Sequence, residues 1–503
     1  MNISDFLSNT GAADDVAIVD GQRRYTYAEL RAAAATLAGS VSTLDLAPGA
    51  RIAILGPNSF FWVASYLAIM KLGMVAVPLS DKGTSADVRR SISAVDCSAA
   101  MVDRRHLRHD PAAVDSVTVI TDDVLQDVLD SGRTPYWPET TTEPDSDAVL
   151  LFTSGTTGAP KAVRVTHRNI AANTESIISY LGLQRTDRAL VILPFFYCYG
   201  ASLLHTHLRV GATLVLCNSF AFPETTAKLL EEQECTVFAG VPSSFQLMLR
   251  ATSFAQRATP SLRIIQQAGG KLPPVMIEEL LAAKPHAELF VMYGQTEATA
   301  RLSYLPPAML TEKLGSIGKG IPGVELRVLG PDLEPVQAGG KGEIYARGPS
   351  ISPGYYGDPD GTSDKFTPHG LRTGDVAVVD EDGYVFIVDR RDDFIKSWGY
   401  RVSSQEVEAA ALRMPQLVSA AAIGVPDDVA GEAITLFVTV APGSEITTDA
   451  VVAACRRSLP KHMVPKSVVV IDGMPLNASG KIAKTRLRDL AAARVPLASA
   501  HPG

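Results

Sequence analysis

The chain has 503 residues, 46 % hydrophobic and 20 % charged, an ordinary globular balance but too long for one compact core. Its formal net charge of −8 excludes a general nucleic-acid binder, which needs a dense positive surface, while local loops remain able to hold small anions. The five cysteines are scattered without C-x-x-C spacing, and the start "MNISDFLSNT" carries no basic leader before an apolar run. Neither a disulfide framework, a zinc site nor a signal peptide is expected, which fits a cytoplasmic protein.

In chain order, the most apolar segment, Phe60 to Leu79, is interrupted by Lys71 and Gly73 and reads as a buried helix and strand rather than a membrane span. From Arg51 onward short apolar runs alternate with helical patterns, as in "RIAILG" and "FFWVASYLAIMKLG", then "TLVLCN" and "TTAKLLEEQE". That alternation predicts βαβ units and a mostly parallel, covered sheet. The stretch "GRTPYWPETTTEPDSD" (132–147) reads as a surface loop. After about Gly315 the texture becomes β-rich with frequent glycine. Near Asp393 a small α+β unit of about 100 residues begins, and "VPLASAHPG" closes the chain as a frayed tail.

The strongest local signal is "LFTSGTTGAPKAV", Leu151 to Val163. Glycines let backbone N–H groups turn inward, hydroxyls add donors, and Lys161 adds charge, so the loop reads as a cradle for an anionic oligophosphate. It is not a Walker A loop, because a strand-like "AVRVT" follows the lysine where that motif requires a helix. A flexible hairpin tip is the structural alternative.

This loop resembles the phosphate-binding signature of the AMP-forming adenylating superfamily: acyl- and aryl-CoA synthetases, adenylation domains of non-ribosomal peptide synthetases, and luciferases. Further matching motifs follow in the family's order: "QQAGGKLPP", "MYGQTEA", "GEIYARGP", "RTGD", "DRRDDFIKSWGYRV" and "PLNASGKI". The resemblance covers nearly the whole chain, and implies a large N-terminal α/β domain of helix-covered βαβ-type sheets plus a β-rich subdomain (1–389). A hinge (390–393), a small mobile α+β C-terminal domain (394–491) and a tail (492–503) would follow. It also implies a two-step reaction. ATP and a carboxylate give an acyl-adenylate and pyrophosphate, and the acyl group then passes to a thiol, either CoA or the phosphopantetheine of a carrier protein.

By the same resemblance, Ser154, Gly155, Thr156, Thr157, Gly158 and Lys161 hold the β and γ phosphates. Gly269, Gly270 and Lys271 lie along the adenine, on which Tyr293 stacks; Thr296 meets the α-phosphate and Glu297 binds Mg²⁺. Asp375 and Arg390 take the ribose, and Arg401 is an arginine near the phosphate in some relatives. Lys481 stands at the catalytic-lysine position, where an ammonium bridges carboxylate and α-phosphate. Asp392 occupies the hinge position, and Gly399 matches a glycine that lets a pantetheine arm pass, with Trp398 lining that tunnel or packing between domains. The basic helix beyond Lys481, with Lys484, Arg486 and Arg488, reads as a solvated face.

The stretch "LPFFYCYGAS" (193–202) matches the start of the family's acyl-pocket helix, although alternation alone would make it a strand end with Phe195, Tyr197 and Tyr199 on one side. Residues 193 to 208 contain no Asp or Glu to pair a substrate ammonium, so a non-amino acyl or aryl acid is expected. Candidate pocket residues are Tyr197, Tyr199, Gly200, Gly240, Val241, Gln267 and Gly294. Gln266 is a further amide that either meets substrate or satisfies the sheet. His205 and His207, two apart on a helix, make poor metal ligands, and His167 reads as a capping or packing residue. Three alternatives stand beside a CoA ligase: an enzyme loading a specialised acid, β-amino or aryl, onto a carrier protein in trans; a non-catalytic ligand-binding relative; and a luciferase-like oxidase.

Overall fold

The computed structural model describes residues 2–126, 137, 139–153, 161–218, 220, 222–390, 394–427 and 429–494. Four sheets organise them. The first joins Cys97–Val102, Arg51–Leu55 and Val75–Leu79 in parallel and ends in the antiparallel hairpin Asp147–Thr153/Lys161–Thr166. The second has a parallel centre, Arg188–Val191, Val237–Gly240, Ile264–Gln267 and Glu288–Tyr293. Strands buried on both faces explain the continuous apolar runs of the sequence. Phe60–Lys71 is a wholly buried helix and Val75–Leu79 a wholly buried strand, as the pattern predicts. Among the described residues no helix is long and apolar enough to cross a membrane.

Alternation along the second sheet divides two cores. Val237, Ala239, Ile264, Phe290 and Met292 face one cluster together with Phe195 and Tyr199. Phe238, Ile265, Leu289 and Val291 face the other, with Phe245 and Met248 of the helix Pro242–Ala251. A third, antiparallel sheet contains Lys341–Arg347, Gly370–Val379 and Val385–Arg390. The C-terminal sheet combines the hairpin Phe394–Ser397/Tyr400–Ser403 with Leu417–Asp427, Gly431–Val440 and Ser467–Val470. The long strand Leu417–Asp427 is absent from the sequence reading, because "VSAAAIG" has small residues and no alternation.

Two other expectations change. "LPFFYCYGAS" does not continue as a strand: Tyr197 is the N-cap of the helix Cys198–Val210, so Tyr197 and Tyr199 diverge. Tyr199 is 2 % exposed, whereas Tyr197 is only partly buried. Lys484 is not a solvated charge. Its Nζ donates to Ser404 Oγ at 2.7 Å and lies 2.8 Å from Glu408, while Arg486 and Arg488 are exposed as expected.

Candidate active site

The C-terminal ends of the parallel strands of the second sheet deliver the first group of residues. Glu288–Tyr293 ends at Tyr293, whose hydroxyl donates to Asp375 Oδ2 at 2.5 Å; Asp375 stands on Gly370–Val379 opposite Arg390 in register. The chain then makes a one-turn 3₁₀ helix, Thr296–Ala298. Next comes a γ-turn at Thr299 (φ 65°, ψ −59°), closed by Ala300 N–H donating to the Ala298 carbonyl at 2.7 Å. A γ-turn of this hand is rare and strained. It returns the Ala300 carbonyl to within 1.8 Å of where a Cβ on Gly294 would sit, so only glycine fits there. Gly294 therefore serves this close approach.

Glu297 is 8 % exposed, and Tyr355 donates its hydroxyl to Glu297 Oε1 at 2.8 Å. Burial first, then the neighbouring carboxylate, pushes the Tyr355 phenol well above its ordinary range. The face of the Tyr355 ring carries Lys161 Nζ 4.8 Å from its centroid, and Lys161 pairs with Asp358 at 2.9 Å. Lys161 begins the strand Lys161–Thr166, so the segment after the phosphate-loop signature is a strand, as its sequence predicts. Tyr355 and Asp358 escape sequence reading, because "SPGYYGDPD" looks like a plain turn. The loop residues Ser154, Gly155, Thr156, Thr157 and Gly158, and Asp392, lie outside the described residues.

Lys481 arrives from the C-terminal unit on a tight loop. Asn477 Oδ1 accepts from Ser479 N–H, Ser479 Oγ–H and Lys481 N–H, and Asn477 N–H donates to the Lys481 carbonyl at 2.7 Å. Gly480 supplies the left-handed turn (φ 81°). Ser243 Oγ donates to the Gly480 carbonyl at 2.5 Å, tying this loop to the start of the helix Pro242–Ala251. The Lys481 side chain crosses Gly269, where an added Cβ would meet Cε at 3.3 Å, and its Nζ lies 5.3 Å from the Tyr197 ring centroid. Thr296 Oγ1 donates to Cys198 Sγ at 3.4 Å at the base of the same region.

The remaining candidates separate. Val241 is buried beside Gly269 and Gly480, but a Cβ on Gly240 would meet Ser244 and Phe245, away from Tyr197. Gly200 allows the helix Cys198–Val210 to approach the Pro194 carbonyl, which would lie 2.1 Å from a Cβ. Gln267 follows Ile265 toward the second core, and its Nε2 donates to the Gly270 carbonyl at 2.8 Å. Gln266 is the amide on the Tyr199 face, because side chains alternate along a strand. Gly270 lies against Pro242, and exposed Lys271 reaches the Ile387 carbonyl at 3.5 Å.

The backbone of Arg390 pairs with Asp375, while its side chain lies outside the described part. Arg401 is exposed on the hairpin that carries Trp398 and Gly399. Trp398 is 59 % exposed. His167 accepts from Ile3 N–H at 3.3 Å, a packing role, and burial lowers its imidazole to about 4. His205 Nε2 lies 2.9 Å from the Tyr66 hydroxyl, and burial lowers it to about 3. Among the described residues no group of three or more His, Cys, Asp or Glu side chains is arranged to hold a metal.

The chain belongs to the AMP-binding enzyme family: the family pattern matches residues 7–356, and that of the AMP-binding enzyme C-terminal domain matches 406–481. It is an AMP-forming acid–thiol ligase that activates a carboxylic acid with ATP as the acyl-adenylate and transfers it to a thiol, with Mg²⁺ and CoA.

Among individual relatives, it is 33 % identical to a feruloyl-CoA synthase of Amycolatopsis sp, over 94 % of this chain and 95 % of that one. It is 29 % identical to the 2-succinylbenzoate–CoA ligase of Bacillus licheniformis, over 94 % and 96 %. The o-succinylbenzoate CoA synthetase of Bacillus subtilis, solved with its acyl-adenylate, superimposes with a TM-score of 0.83 at 26 % identity, covering 97 % of this chain and 98 % of that one. An anthranilate CoA ligase solved with anthranoyl-AMP shares the fold (TM-score 0.89, 22 % identity, 98 % of each chain).

Proposed function

We propose that Lys481 is the catalytic lysine of adenylate formation, acting on a non-amino carboxylic acid bound between Tyr197 and the second sheet, and that CoA is the acceptor. The observation that carries this reading is the passage of Lys481 over Gly269 to Tyr197, which adjoins Cys198, the partner of Thr296. Two anions must meet for the carboxylate to attack the α-phosphorus, so positive charge and fixed geometry at that point are the main catalytic needs. In this reading Lys161 and the glycine-rich loop hold the β and γ phosphates, Thr296 the α-phosphate, Tyr293 the adenine, and Asp375 with Arg390 the ribose.

Glu297 and Thr296 offer hard oxygen donors, which fit Mg²⁺, a cation held by one or two protein carboxylates and substrate phosphates. When bound, the ion neutralises phosphate charge; the Tyr355 hydroxyl keeps Glu297 aimed. The small unit from 394 onward is the mobile domain, with 390–393 as its hinge. After rotation, Trp398 and Gly399 would take the pantetheine arm.

Against an amino-acid substrate, the charge buried beside the Tyr199 ring is the guanidinium of Arg301, which repels an ammonium. The relatives' names favour CoA over a carrier protein in trans as acceptor. Pyrophosphate release should therefore depend on ATP, Mg²⁺ and a carboxylic acid, and the best acid should give a CoA thioester. A product formed only with a pantetheinylated carrier protein would move the acceptor assignment to carrier loading. No carboxylate-dependent release from any acid would overturn the catalytic reading.

A further inference from the structure

Among the described residues Arg301 is a buried cation without a counter-charge. It is 2 % exposed, and its guanidinium carbon lies 3.9 Å above the Tyr199 ring centroid. One contact is with the Tyr180 hydroxyl, while Nε and Nη2 have no hydrogen-bond partner among the described residues. Among the described residues no Asp or Glu forms an ion pair with it, and the nearby Glu297 is engaged by Tyr355. Ring stacking uses only the face of a guanidinium and leaves these edge donors unexplained. A buried charge with unmet donors is costly unless something arrives to meet them.

A second unmet donor belongs to the same neighbourhood. Gln266 is 1 % exposed on the Tyr199 face of the sheet, and its Nε2 also lacks a partner among the described residues. Tyr199 links the two, its ring beneath Arg301 and its hydroxyl donating to the Gln266 carbonyl at 2.8 Å. Three unmet atoms are thus all donors: Arg301 Nε, Arg301 Nη2 and Gln266 Nε2. Such a set calls for an anion with two acceptor oxygens, and a planar fork matches a carboxylate. The strained turn at Thr299 lies two residues before Arg301, as expected where backbone strain fixes a functional side chain.

The nucleotide end is close by. Cys198, at the start of the helix that carries Tyr199, accepts from Thr296 and feels the positive charge of both Lys481 and Arg301. We propose that Arg301, with Gln266, receives a second carboxylate of the acid substrate, which is therefore a compact dicarboxylic acid activated at the end nearer Lys481. This rests on the ligase reading above and specifies its substrate class.

The test uses the wild-type enzyme with ATP, Mg²⁺ and CoA, reading pyrophosphate release. Aliphatic diacids from oxalate to adipate and the benzene dicarboxylic acids are each assayed beside their mono-amide and the monocarboxylic acid of matching length. At least one diacid should exceed both matched compounds in kcat/KM by on the order of 10- to 100-fold, as for a charge-assisted hydrogen-bonded pair in a site built for it. In Arg301→Met the ratio of diacid to matched-partner kcat/KM should collapse, mainly through KM for the diacid; Arg301→Lys should restore part of it. Equal turnover of diacids and their matched partners, or turnover of monoacids alone, would overturn the proposal and leave the ligase reading standing. No release from any acid, in a panel widened to aryl and fatty acids, would overturn the ligase reading itself. If Arg301→Met does not fold, the wild-type pairs decide.

Discussion

The small C-terminal unit turns two unlike faces to its surroundings. One bears the loop Asn477–Lys481, cross-braced by Asn477, tied by Ser243 through the Gly480 carbonyl, and placing Lys481 against Gly269 and Tyr197. The other bears the hairpin tip at Trp398 and Gly399, where Trp398 is 59 % exposed and an added Cβ on Gly399 would meet nothing within 4 Å among the described residues. In the proposed reaction the first face serves adenylate formation and the second thioester formation. On that proposal the arrangement is the one suited to the first step, and the two faces should be separable by mutation.

The sharpest break is Lys481→Ala. Removing the ammonium should lower acid-dependent pyrophosphate release by about 100-fold or more, the scale of losing a preorganised charge at the reacting phosphate. Thioester formation from a supplied acyl-adenylate should persist. Near-normal pyrophosphate release would return Lys481 to an ordinary loop residue.

The converse is Gly399→Leu. Its φ of 77° disfavours a side chain by about 1–2 kcal/mol, but the surrounding space is open, so the fold and the first step should survive. CoA thioester output should fall while adenylate accumulates. Equal output from both steps would mean that this face takes no part in thiol transfer.

Arg250 tests what holds the first face in place. From the helix Pro242–Ala251 it donates to the carbonyls of Leu412, Met414 and Leu417 in the C-terminal unit, and it pairs with Glu279 behind. With its side chain 5 % exposed, Arg250→Ala would leave several buried acceptors unmet, about 1–3 kcal/mol of lost docking. The adenylation rate should drop about tenfold, with less effect on transfer from a supplied adenylate. Lysine should rescue poorly, since one ammonium cannot reproduce the fork. An equal loss in both steps would make Arg250 a general stabiliser.

How legible this was from sequence follows from the range of each interaction. Tyr293, Glu297, Asp375 and Lys481 sit in short motifs whose backbone shape is locally encoded, and the alternating pattern foretold the parallel sheets. Arg301, Arg250 and Tyr355 were invisible, because each matters through partners far along the chain: Arg301 through Tyr199 and Tyr180, Arg250 through three carbonyls more than 160 residues on, Tyr355 through Glu297. Gln266 and Gln267 are adjacent, and sequence gives the alternation of a strand but not its phase. A one-residue change of phase exchanges the faces. In "LPFFYCYGAS" the bare alternation fails for a related reason: a helix beginning at Cys198, in keeping with the helix start that the family resemblance implies, breaks it midway.

The mildest perturbation, Ser243→Ala, discriminates between docking and chemistry at Lys481 itself. The Ser243 hydroxyl touches no proposed substrate group; it bonds the Gly480 carbonyl, one residue before the lysine. Losing one neutral hydrogen bond costs about 0.5–1.5 kcal/mol, and the loop keeps its own Asn477 bracing. Lys481 would then be correctly shaped but less often in place. The adenylation kcat should fall roughly 2- to 10-fold if the whole cost appears in that step, with the KM for ATP and the acid nearly unchanged. A raised KM with constant kcat would instead place Ser243 in ground-state binding, and the contact with Gly480 would be incidental to the step that Lys481 serves.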